Sequence, residues 1–184
     1  MAKVQYYAAA TLDGFIARPD GSIDWLQTYG ADTGHGGPMS DGSYDAFYAE
    51  VGALVMGSAT FEWILEHASK WPYDLPTWVF TSRELSQPAG GQVTFTTEGA
   101  AAVRDAAMES AGGKNVWMVG GGNLASSWAE DGLIEEAIVT VVPVYIAKGL
   151  PFFARAVEGE LRHLSTKTHA NGMVELRFAM PQIA

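Results

Sequence analysis

The chain has 184 residues, 48% of them hydrophobic and 17% charged, which is typical of one well-buried globular domain and argues against disorder. Its formal net charge is −10 at pH 7, so the surface repels nucleic acid, and no nucleic-acid partner is expected. Because the chain lacks cysteine, disulfides and thiolate-bound metals are excluded, and its four histidines show no metal-binding pattern. We therefore expect a single domain over residues 1–184, without a metal.

The N-terminus and the apolar segments give no membrane signal. The first residues mix one lysine and polar side chains with β-formers, unlike a secretory signal. No stretch of the sequence approaches the roughly 20 apolar residues that span a bilayer. The sequence therefore predicts a cytoplasmic protein with no membrane partner.

The first third of the chain combines a strand, two loops and a short helix. The segment VQYYAAA is predicted to be a strand, and TLDGFIARPDGSIDWL after it has the turn pairs of a structured loop. A second, glycine-rich loop is predicted from Tyr29 to Gly42. We then expect a short helix in SYDAFYAEV, with Ser43 as its N-cap and Phe47 and Val51 on its inner face.

Strands and helices alternate through the middle of the chain, and strands dominate its end. The segments GALVMG, TWVFTS, QVTFTT, NVWMVGG and IEEAIVTVVPVY are predicted strands, while SATFEWILEHA, NLASSWAEDG and the residues from about Gly99 to Ala111 are predicted helices. IAKGLPFF is predicted to be a turn region, and residues 161–181 form a hairpin with Asn171 and Gly172 at its turn. This order predicts an α/β fold with a mainly parallel sheet and an antiparallel C-terminal edge.

Three predicted strand ends share one design, in VMG-SATFE, VFT-SRE and MVGGG-NLASS. Each has small or hydroxyl residues at the carboxyl end of a strand, and the first and third then begin a helix; Ser58 or Thr60 can cap the first of these helices. In open α/β sheets, ligands bind outside the carboxyl ends of strands, and helix N-termini offer amide donors to phosphates. The three segments together predict a phosphate-rich ligand, with ordinary turn chemistry as the alternative for each.

Glycine and arginine give two further signals at these strand ends. Gly120, Gly121 and Gly122 stand between a strand and a helix, which indicates either close approach of the backbone to a ligand or a rare peptide geometry. Their spacing does not match the G-x-G-x-x-G fingerprint or the G-x-x-x-x-G-K-[ST] loop. Arg83 either lies on the surface or binds a phosphate, and an arginine beside the ribose 2′-position favours NADP over NAD.

The segments TLDGFIA, VMGSATFE, VFTSR, VWMVGGGNLASS and VTVVPVYIAKGLPFF occur in the order and spacing typical of the dihydrofolate reductase-like family. The sequence most closely resembles the branch that contains the reductase domain of riboflavin biosynthesis. This resemblance implies a three-layer sandwich, with a mostly parallel mixed sheet, an antiparallel C-terminal hairpin and helices on both faces. It also implies an NADPH-dependent reductase of a small heterocyclic substrate, similar to 5-amino-6-(5-phosphoribosylamino)uracil reductase, with a cis peptide between Gly120 and Gly121.

The same resemblance assigns the cofactor-binding residues. Ala9 and Ile16 flank the nicotinamide. The residues that surround the adenine ribose and its 2′-phosphate are Thr81, Ser82 and Arg83. The residues that hold the pyrophosphate at a helix start are Gly57, Ser58, Ala59 and Thr60. The second phosphate-side turn comprises Gly120, Gly121, Gly122, Asn123 and Leu124.

The catalytic residues are less sharply defined by the motifs. In folate-reducing members a carboxylate on the first helix contacts the pterin ring, but here Ser43 or Tyr44 falls near that position, with Asp41 and Asp45 on either side. This departure argues against folate reduction. Residues 11–14 match the S/T-L-D-G segment of riboflavin-type members, so Asp13 either lines the substrate side of the cleft or belongs to an ordinary turn. The candidate catalytic residues are Asp13, Tyr44 and Asp45.

The candidate substrate wall extends from the predicted first helix. Tyr44 and Tyr48 are four residues apart and share one helix face, where they either contact substrate or pack. The other candidates are Asp24, Trp25 and Thr140. Trp25 is the one tryptophan that we expect in a loop instead of the core, and His169 is expected on the surface of the hairpin.

Two further interpretations stay open. The protein can bind NADPH without turnover, as a sensor or a degenerate relative. A homodimer is also implied by the resemblance, since riboflavin-type members pair through their sheets, and EAIVTVVPVY is apolar enough to be buried on both faces. An internal strand of a monomer is the alternative for that segment.

Overall fold

The computed structural model describes residues 1–29, 41–155 and 157–181, which contain ten strands and five helices. The strands are β1 (Val4–Thr11), β2 (Phe15–Ala17), β3 (Val51–Gly57), β4 (Thr77–Phe80), β5 (Val93–Thr96), β6 (Asn115–Gly120), β7 (Glu136–Val142), β8 (Leu150–Pro151), β9 (Arg162–Thr168) and β10 (Val174–Ala179). The helices are α1 (Asp24–Thr28), α2 (Ser43–Ala49), α3 (Ser58–His67), α4 (Ala100–Ser110) and α5 (Gly122–Glu130).

Eight of these strands form one sheet in the order β5-β4-β3-β6-β1-β7-β10-β9. The six strands from β5 to β7 in this order are parallel to one another. β10 is antiparallel to both of its neighbours, β7 and β9. The interior strand β3 is the apolar run VGALVMG and is buried except at its last residue, as is typical of a parallel strand that is covered on both faces. The predicted α/β class, the mostly parallel sheet and the antiparallel C-terminal hairpin are therefore confirmed.

Helices cover both faces of the sheet. Successive side chains of a strand point to opposite faces, so neighbouring residues enter different cores. Tyr6 of β1 packs in one core with Trp128 of α5. Tyr7, the next residue, packs on the other face with Phe47 of α2, and α3 covers that face through Phe61. The sheet between two helical layers is the predicted three-layer sandwich.

Two segments that are predicted as loops contain regular structure. β2 lies within TLDGFIARPDGSIDWL and pairs antiparallel with β8 of the predicted turn region IAKGLPFF. Helix α1 begins near the end of the first segment and extends two residues beyond it. The loop predictions are wrong there because strands of three and two residues have no readable alternation. Pairing between distant segments creates such short strands.

The start of α2 also differs from the prediction. Gly42 is the N-cap, in a left-handed conformation with φ 75°, and Ser43 is the first helical residue. Asp41 precedes this N-cap, and its Oδ1 accepts a hydrogen bond from the backbone N–H of Ser43 at 3.0 Å. Val51 begins β3 and does not lie on the helix. Most of the predicted loop before α2, residues 30–40, lies outside the described residues.

Candidate functional site

The three predicted strand ends meet at the carboxyl edge of the sheet. β4, β3 and β6 are neighbours there, and Met56 of β3 pairs with Gly120 of β6. Nη2 of Arg83 donates to Oγ of Ser58 at 3.0 Å. A β-carbon on Gly121 would lie 3.7 Å from Oγ1 of Thr60. Residues 57–62, 81–83 and 120–124 therefore form one group, termed the strand-end cluster.

Two helices of the strand-end cluster begin side by side with a glycine as N-cap. Gly57 precedes α3 and Gly121 precedes α5, and within the described part of the chain no side chain caps either helix. Ser58 and Thr60 thus do not cap α3, contrary to the sequence expectation. The first amides of a helix have no partner inside the helix, and they stand at the positive end of its dipole. The pair of helix starts is therefore suited to an anion such as a pyrophosphate.

The three consecutive glycines serve different purposes. The peptide bond between Gly120 and Gly121 is cis, as the resemblance implies, and Gly120 has φ 127°, which favours glycine. A β-carbon on Gly122 would lie 2.4 Å from the carbonyl oxygen of Pro151 and 3.0 Å from that of Phe152. Close packing of the protein's own backbone therefore explains why residue 122 has no side chain.

Arg83 is held by a carboxylate that sequence analysis missed. Its Nη1 and Nη2 donate to the two carboxylate oxygens of Glu62 at 2.9 and 2.6 Å. These hydrogen bonds raise the pKa of Arg83 above its usual value. A spacing signal was present in the sequence, because Glu62 follows Ser58 by four residues and lies on the same face of α3.

A second group of candidate residues surrounds α2, on the sheet face that α3 also covers. It consists of Tyr7, Tyr44, Tyr48, Tyr73 and Thr140 and is termed the α2 cluster. Thr140 is buried, and its Oγ1 donates to the hydroxyl of Tyr7 at 3.3 Å. Burial raises the pKa of Tyr7. Sequence analysis missed Tyr7, because nothing in a strand pattern shows which buried hydroxyls meet.

Tyr44 and Tyr48 share one face of α2, as their spacing predicts, and their rings stack at 6.0 Å. The hydroxyl of Tyr48 donates to Oδ1 of Asp74 at 2.9 Å. The ring of Tyr44 packs edge-on against Trp117 at 5.9 Å, and burial raises the pKa of Tyr44. Asp45, the neighbouring candidate, is exposed to solvent.

Asp13 joins the loop after β1 to the segment before β8. Its carboxylate accepts hydrogen bonds from Oγ1 of Thr11 at 2.5 Å and from the backbone N–H groups of Ile146 and Ala147 at 3.1 and 2.8 Å. The hydrogen bond from Thr11 is the main reason why the pKa of Asp13 is lowered. These hydrogen bonds show that Asp13 orders the loop after β1. A catalytic role for Asp13 stays a prediction.

The two candidates on α1, Asp24 and Trp25, differ in burial. Oδ1 of Asp24 accepts from Nε of Arg18 at 2.6 Å in an exposed ion pair. Trp25 belongs to helix α1 and is only 5% exposed, packed with Val142 and Met173. The expectation that Trp25 lies in a loop outside the core is therefore wrong, because the loop prediction overlooked α1.

The carboxylate of Asp41 ties α2 to the C-terminal hairpin. Its Oδ1 accepts from Oγ of Ser43 at 2.6 Å, and its Oδ2 accepts from Nζ of Lys167 at 3.0 Å and meets Nδ1 of His169 at 2.8 Å. The hydrogen bond from Ser43 and those from His169 and Lys167 lower the pKa of Asp41. His169 is 7% exposed, so the prediction that it lies on the surface is wrong.

The described residues contain neither a metal-binding group nor a membrane-spanning helix. Within residues 1–29, 41–155 and 157–181, no group of three or more histidine or acidic side chains is arranged to hold a metal ion. In these ranges no helix has the length and apolarity needed to cross a membrane.

Comparison with known proteins agrees with this fold. Residues 2–174 match the family model of the RibD C-terminal domain. The Bacillus subtilis protein YwjB is 36% identical over 167 residues, which cover 90% of this chain and 91% of YwjB. A putative riboflavin biosynthesis protein from Shewanella sp. PV-4 superposes with a TM-score of 0.82 at 21% identity, over 98% of this chain and 99% of that one. The Thermotoga maritima diaminohydroxyphosphoribosylaminopyrimidine deaminase/5-amino-6-(5-phosphoribosylamino)uracil reductase has a TM-score of 0.64 at 15% identity, over 98% of this chain and 57% of that one.

Proposed function

Because this chain belongs to the RibD C-terminal domain family, we propose that it is an NADPH-dependent reductase of a small heterocyclic substrate. The observation that carries this proposal is the strand-end cluster, in which two uncapped helix starts and Arg83 meet at one edge of the sheet. Such a group of donors matches the negative charges of a dinucleotide phosphate.

In this proposal each strand end binds a different part of the dinucleotide. Residues 57–60 and 120–124 hold the pyrophosphate, and Thr81, Ser82 and Arg83 hold the adenine ribose with its 2′-phosphate. Ala9, which is half-buried in β1 and pairs with Thr140, lies beside the nicotinamide together with Ile16 of β2. When bound, NADPH supplies a hydride. The residues of the chain bind the phosphates and orient the ring toward the substrate.

The α2 cluster forms the substrate side in this proposal. A proton donor must carry its proton at the pH of the reaction. The lowered pKa of Asp13 favours its ionised form, whereas the raised pKa of Tyr44 keeps its hydroxyl protonated. Of the three candidates, Tyr44 is therefore the proposed proton donor. Tyr48 lines the substrate, and the buried Thr140 supports this side through its hydrogen bond to Tyr7. Asp24 and Trp25 are less favoured, because one is ion-paired and the other is buried in the core.

The proposed substrate class is based on the name of a structurally similar protein. The Thermotoga maritima protein is by its name a 5-amino-6-(5-phosphoribosylamino)uracil reductase, and the proposed substrate here is that compound or a similar pyrimidine. The second candidate function, NADPH binding without turnover, is supported by the exposure of Asp45 and by the hydrogen bonds that occupy Asp13. Hydride transfer from NADPH to a pyrimidine, pterin or flavin acceptor would exclude that second function.

A titration of tryptophan fluorescence with NADPH and with NADH tests the cofactor proposal. NADPH is expected to bind more tightly, because only NADPH carries the 2′-phosphate that Arg83 can contact. Equal binding of the two nucleotides contradicts NADPH selectivity. Binding of neither contradicts the proposed function as a whole.

The sheet face beyond α5 supports a homodimer. On that face Val139 and Val141 of β7 lie opposite Leu176 and Val174 of β10, and all four side chains are partly exposed. The edge strand β9 is exposed along its whole length. We propose that a second copy covers this apolar face. Light scattering should show twice the monomer mass of 19.7 kDa, and a monomer at micromolar concentration would contradict the proposal.

A further inference from the structure

The guanidinium group of Arg83 already has an anionic partner. Glu62 binds it through two parallel hydrogen bonds, with both carboxylate oxygens and both terminal nitrogens in use. The Arg83 side chain is 56% exposed and the Glu62 side chain 36% exposed, so a ligand can reach this pair from solvent. A phosphate would use the same fork of N–H donors that Glu62 now occupies.

We propose that Glu62 sets the cofactor preference of this protein by competing with the 2′-phosphate of NADPH for Arg83, an inference that rests on the proposed function. A phosphate monoester carries a charge of about −1.5 to −2 at neutral pH, so it repels the neighbouring carboxylate as well as displacing it. NADH has a hydroxyl at this position and leaves the ion pair intact. A carboxylate is also a suitable acceptor for a ribose 2′-hydroxyl. Glu62 therefore narrows the difference in affinity between NADPH and NADH.

Arg83 also has hydrogen bonds that do not involve Glu62. The backbone N–H of Arg83 donates to Oγ1 of Thr81 at 3.0 Å, and Nη2 donates to Oγ of Ser58 at 3.0 Å. Removing the charge of Glu62 thus leaves the guanidinium group bonded to Ser58 at the carboxyl edge of the sheet, with a weaker, uncharged competitor for its N–H donors. An exposed ion pair also adds little to stability, so the variant is expected to fold normally.

The matched variants are Glu62→Gln and Glu66→Gln. Both remove one negative charge from α3, but Glu66 is one turn further along, is exposed and has no hydrogen bond to Arg83. Dissociation constants for NADPH and NADH are measured by calorimetry for the wild-type protein and both variants. Glu62→Gln should strengthen NADPH binding by about threefold to tenfold, the range of an exposed but bidentate pair. NADH binding should stay unchanged or weaken, and Glu66→Gln should change both constants less than about twofold.

The double variant Glu62→Gln/Arg83→Gln isolates the role of Arg83. If Glu62 acts through Arg83, the gain from Glu62→Gln disappears when Arg83 is already replaced. An equal gain with Glu62→Gln and Glu66→Gln, or a gain that persists without Arg83, overturns the inference while the cofactor proposal stands. If neither the wild-type protein nor Glu62→Gln binds either nucleotide, both proposals are overturned.

Discussion

The strand-end cluster and the α2 cluster differ in how far apart in the sequence their contacting residues lie. In the strand-end cluster most positions follow from the local chain, where a parallel strand ends and a glycine-capped helix begins. The α2 cluster instead depends on contacts between distant segments. Tyr7 of this cluster meets Thr140 across 133 residues, and Asp41, just before α2 and outside the cluster, meets His169 across 128 residues.

This difference suggests that the two clusters have different roles, one in binding a nucleotide and the other in binding the substrate. A dinucleotide has the same pyrophosphate in every enzyme that uses it, so a strand end and a helix start suffice to bind that group. A substrate side built from side chains of α2, β1 and β7 can change residue by residue without altering the sheet. The strand-end cluster should therefore tolerate few changes of backbone shape, while the α2 cluster should respond to changes of single functional groups.

The largest expected effect is the loss of stability on replacing Gly122 with alanine. The added β-carbon would lie 2.4 Å from a carbonyl oxygen of the backbone. Because backbone cannot rotate away as a side chain can, we expect a loss of about 3 kcal/mol in the free energy of unfolding. Urea denaturation measures this loss.

The control for this variant is Gly99→Ala. Gly99 is also a glycine at a helix start, but a β-carbon there would meet no atom within 4 Å. We expect a loss of about 1 kcal/mol or less. If the two alanine variants were equally stable, the explanation of Gly122 by backbone packing would be wrong.

Replacing Tyr44 with phenylalanine tests the α2 cluster. If Tyr44 donates the proton, Tyr44→Phe should lower kcat by about 100-fold, the lower end of general acid catalysis. NADPH binding should not change, because Tyr44 lies outside the strand-end cluster. The measurement is NADPH oxidation with 5-amino-6-(5-phosphoribosylamino)uracil as acceptor.

Tyr48→Phe is the matched control, since it removes a hydroxyl from the same face of α2, one turn away. That hydroxyl donates to Asp74, and its loss should lower kcat by less than about threefold. Equal decreases in kcat for the two variants would mean that Tyr44 has no special part in proton transfer.

A smaller effect is expected for Arg83→Ala. If Arg83 binds the 2′-phosphate as proposed, the variant should bind NADPH about tenfold more weakly, a loss of about 1.4 kcal/mol, with NADH binding nearly unchanged. Arg155→Ala is the control, because Arg155 forms an ion pair of similar exposure with Glu130 outside the strand-end cluster. Nucleotide titrations would contradict the assignment if NADH weakened as much as NADPH.

Sequence analysis could predict the sheet and the strand-end cluster because their signals are local. Buried parallel strands are apolar runs, and the glycines and hydroxyl residues directly follow them. The pair of β2 and β8 and the burial of His169 were not predictable, because each depends on a partner far away in the chain. Glu62 is an intermediate case, since its spacing from Ser58 was readable but its contact with Arg83 was not.

The smallest expected effect concerns Asp41, which joins α2 to the hairpin of β9 and β10. Asp41→Asn removes the negative charge just before α2 and weakens the contacts to Ser43, Lys167 and His169. Since the carboxylate is about one-third exposed, we expect a loss of only about 1 kcal/mol in the free energy of unfolding at pH 7. Asp45→Asn, on the exposed side of the same helix, should lose less than about 0.5 kcal/mol.

The pH dependence of this loss follows from the lowered pKa of Asp41. A carboxyl group with a lower pKa in the folded state stabilises the fold fully above its unfolded pKa of about 3.9, and this contribution disappears as the pH falls through the folded value. Wild type and Asp41→Asn should therefore differ most at pH 7 and converge in acid. Urea unfolding of both proteins along a series from neutral to acidic pH measures this difference. If the difference in unfolding free energy stayed constant into acid, Asp41 would act through packing. The link between α2 and the hairpin would then not depend on its charge.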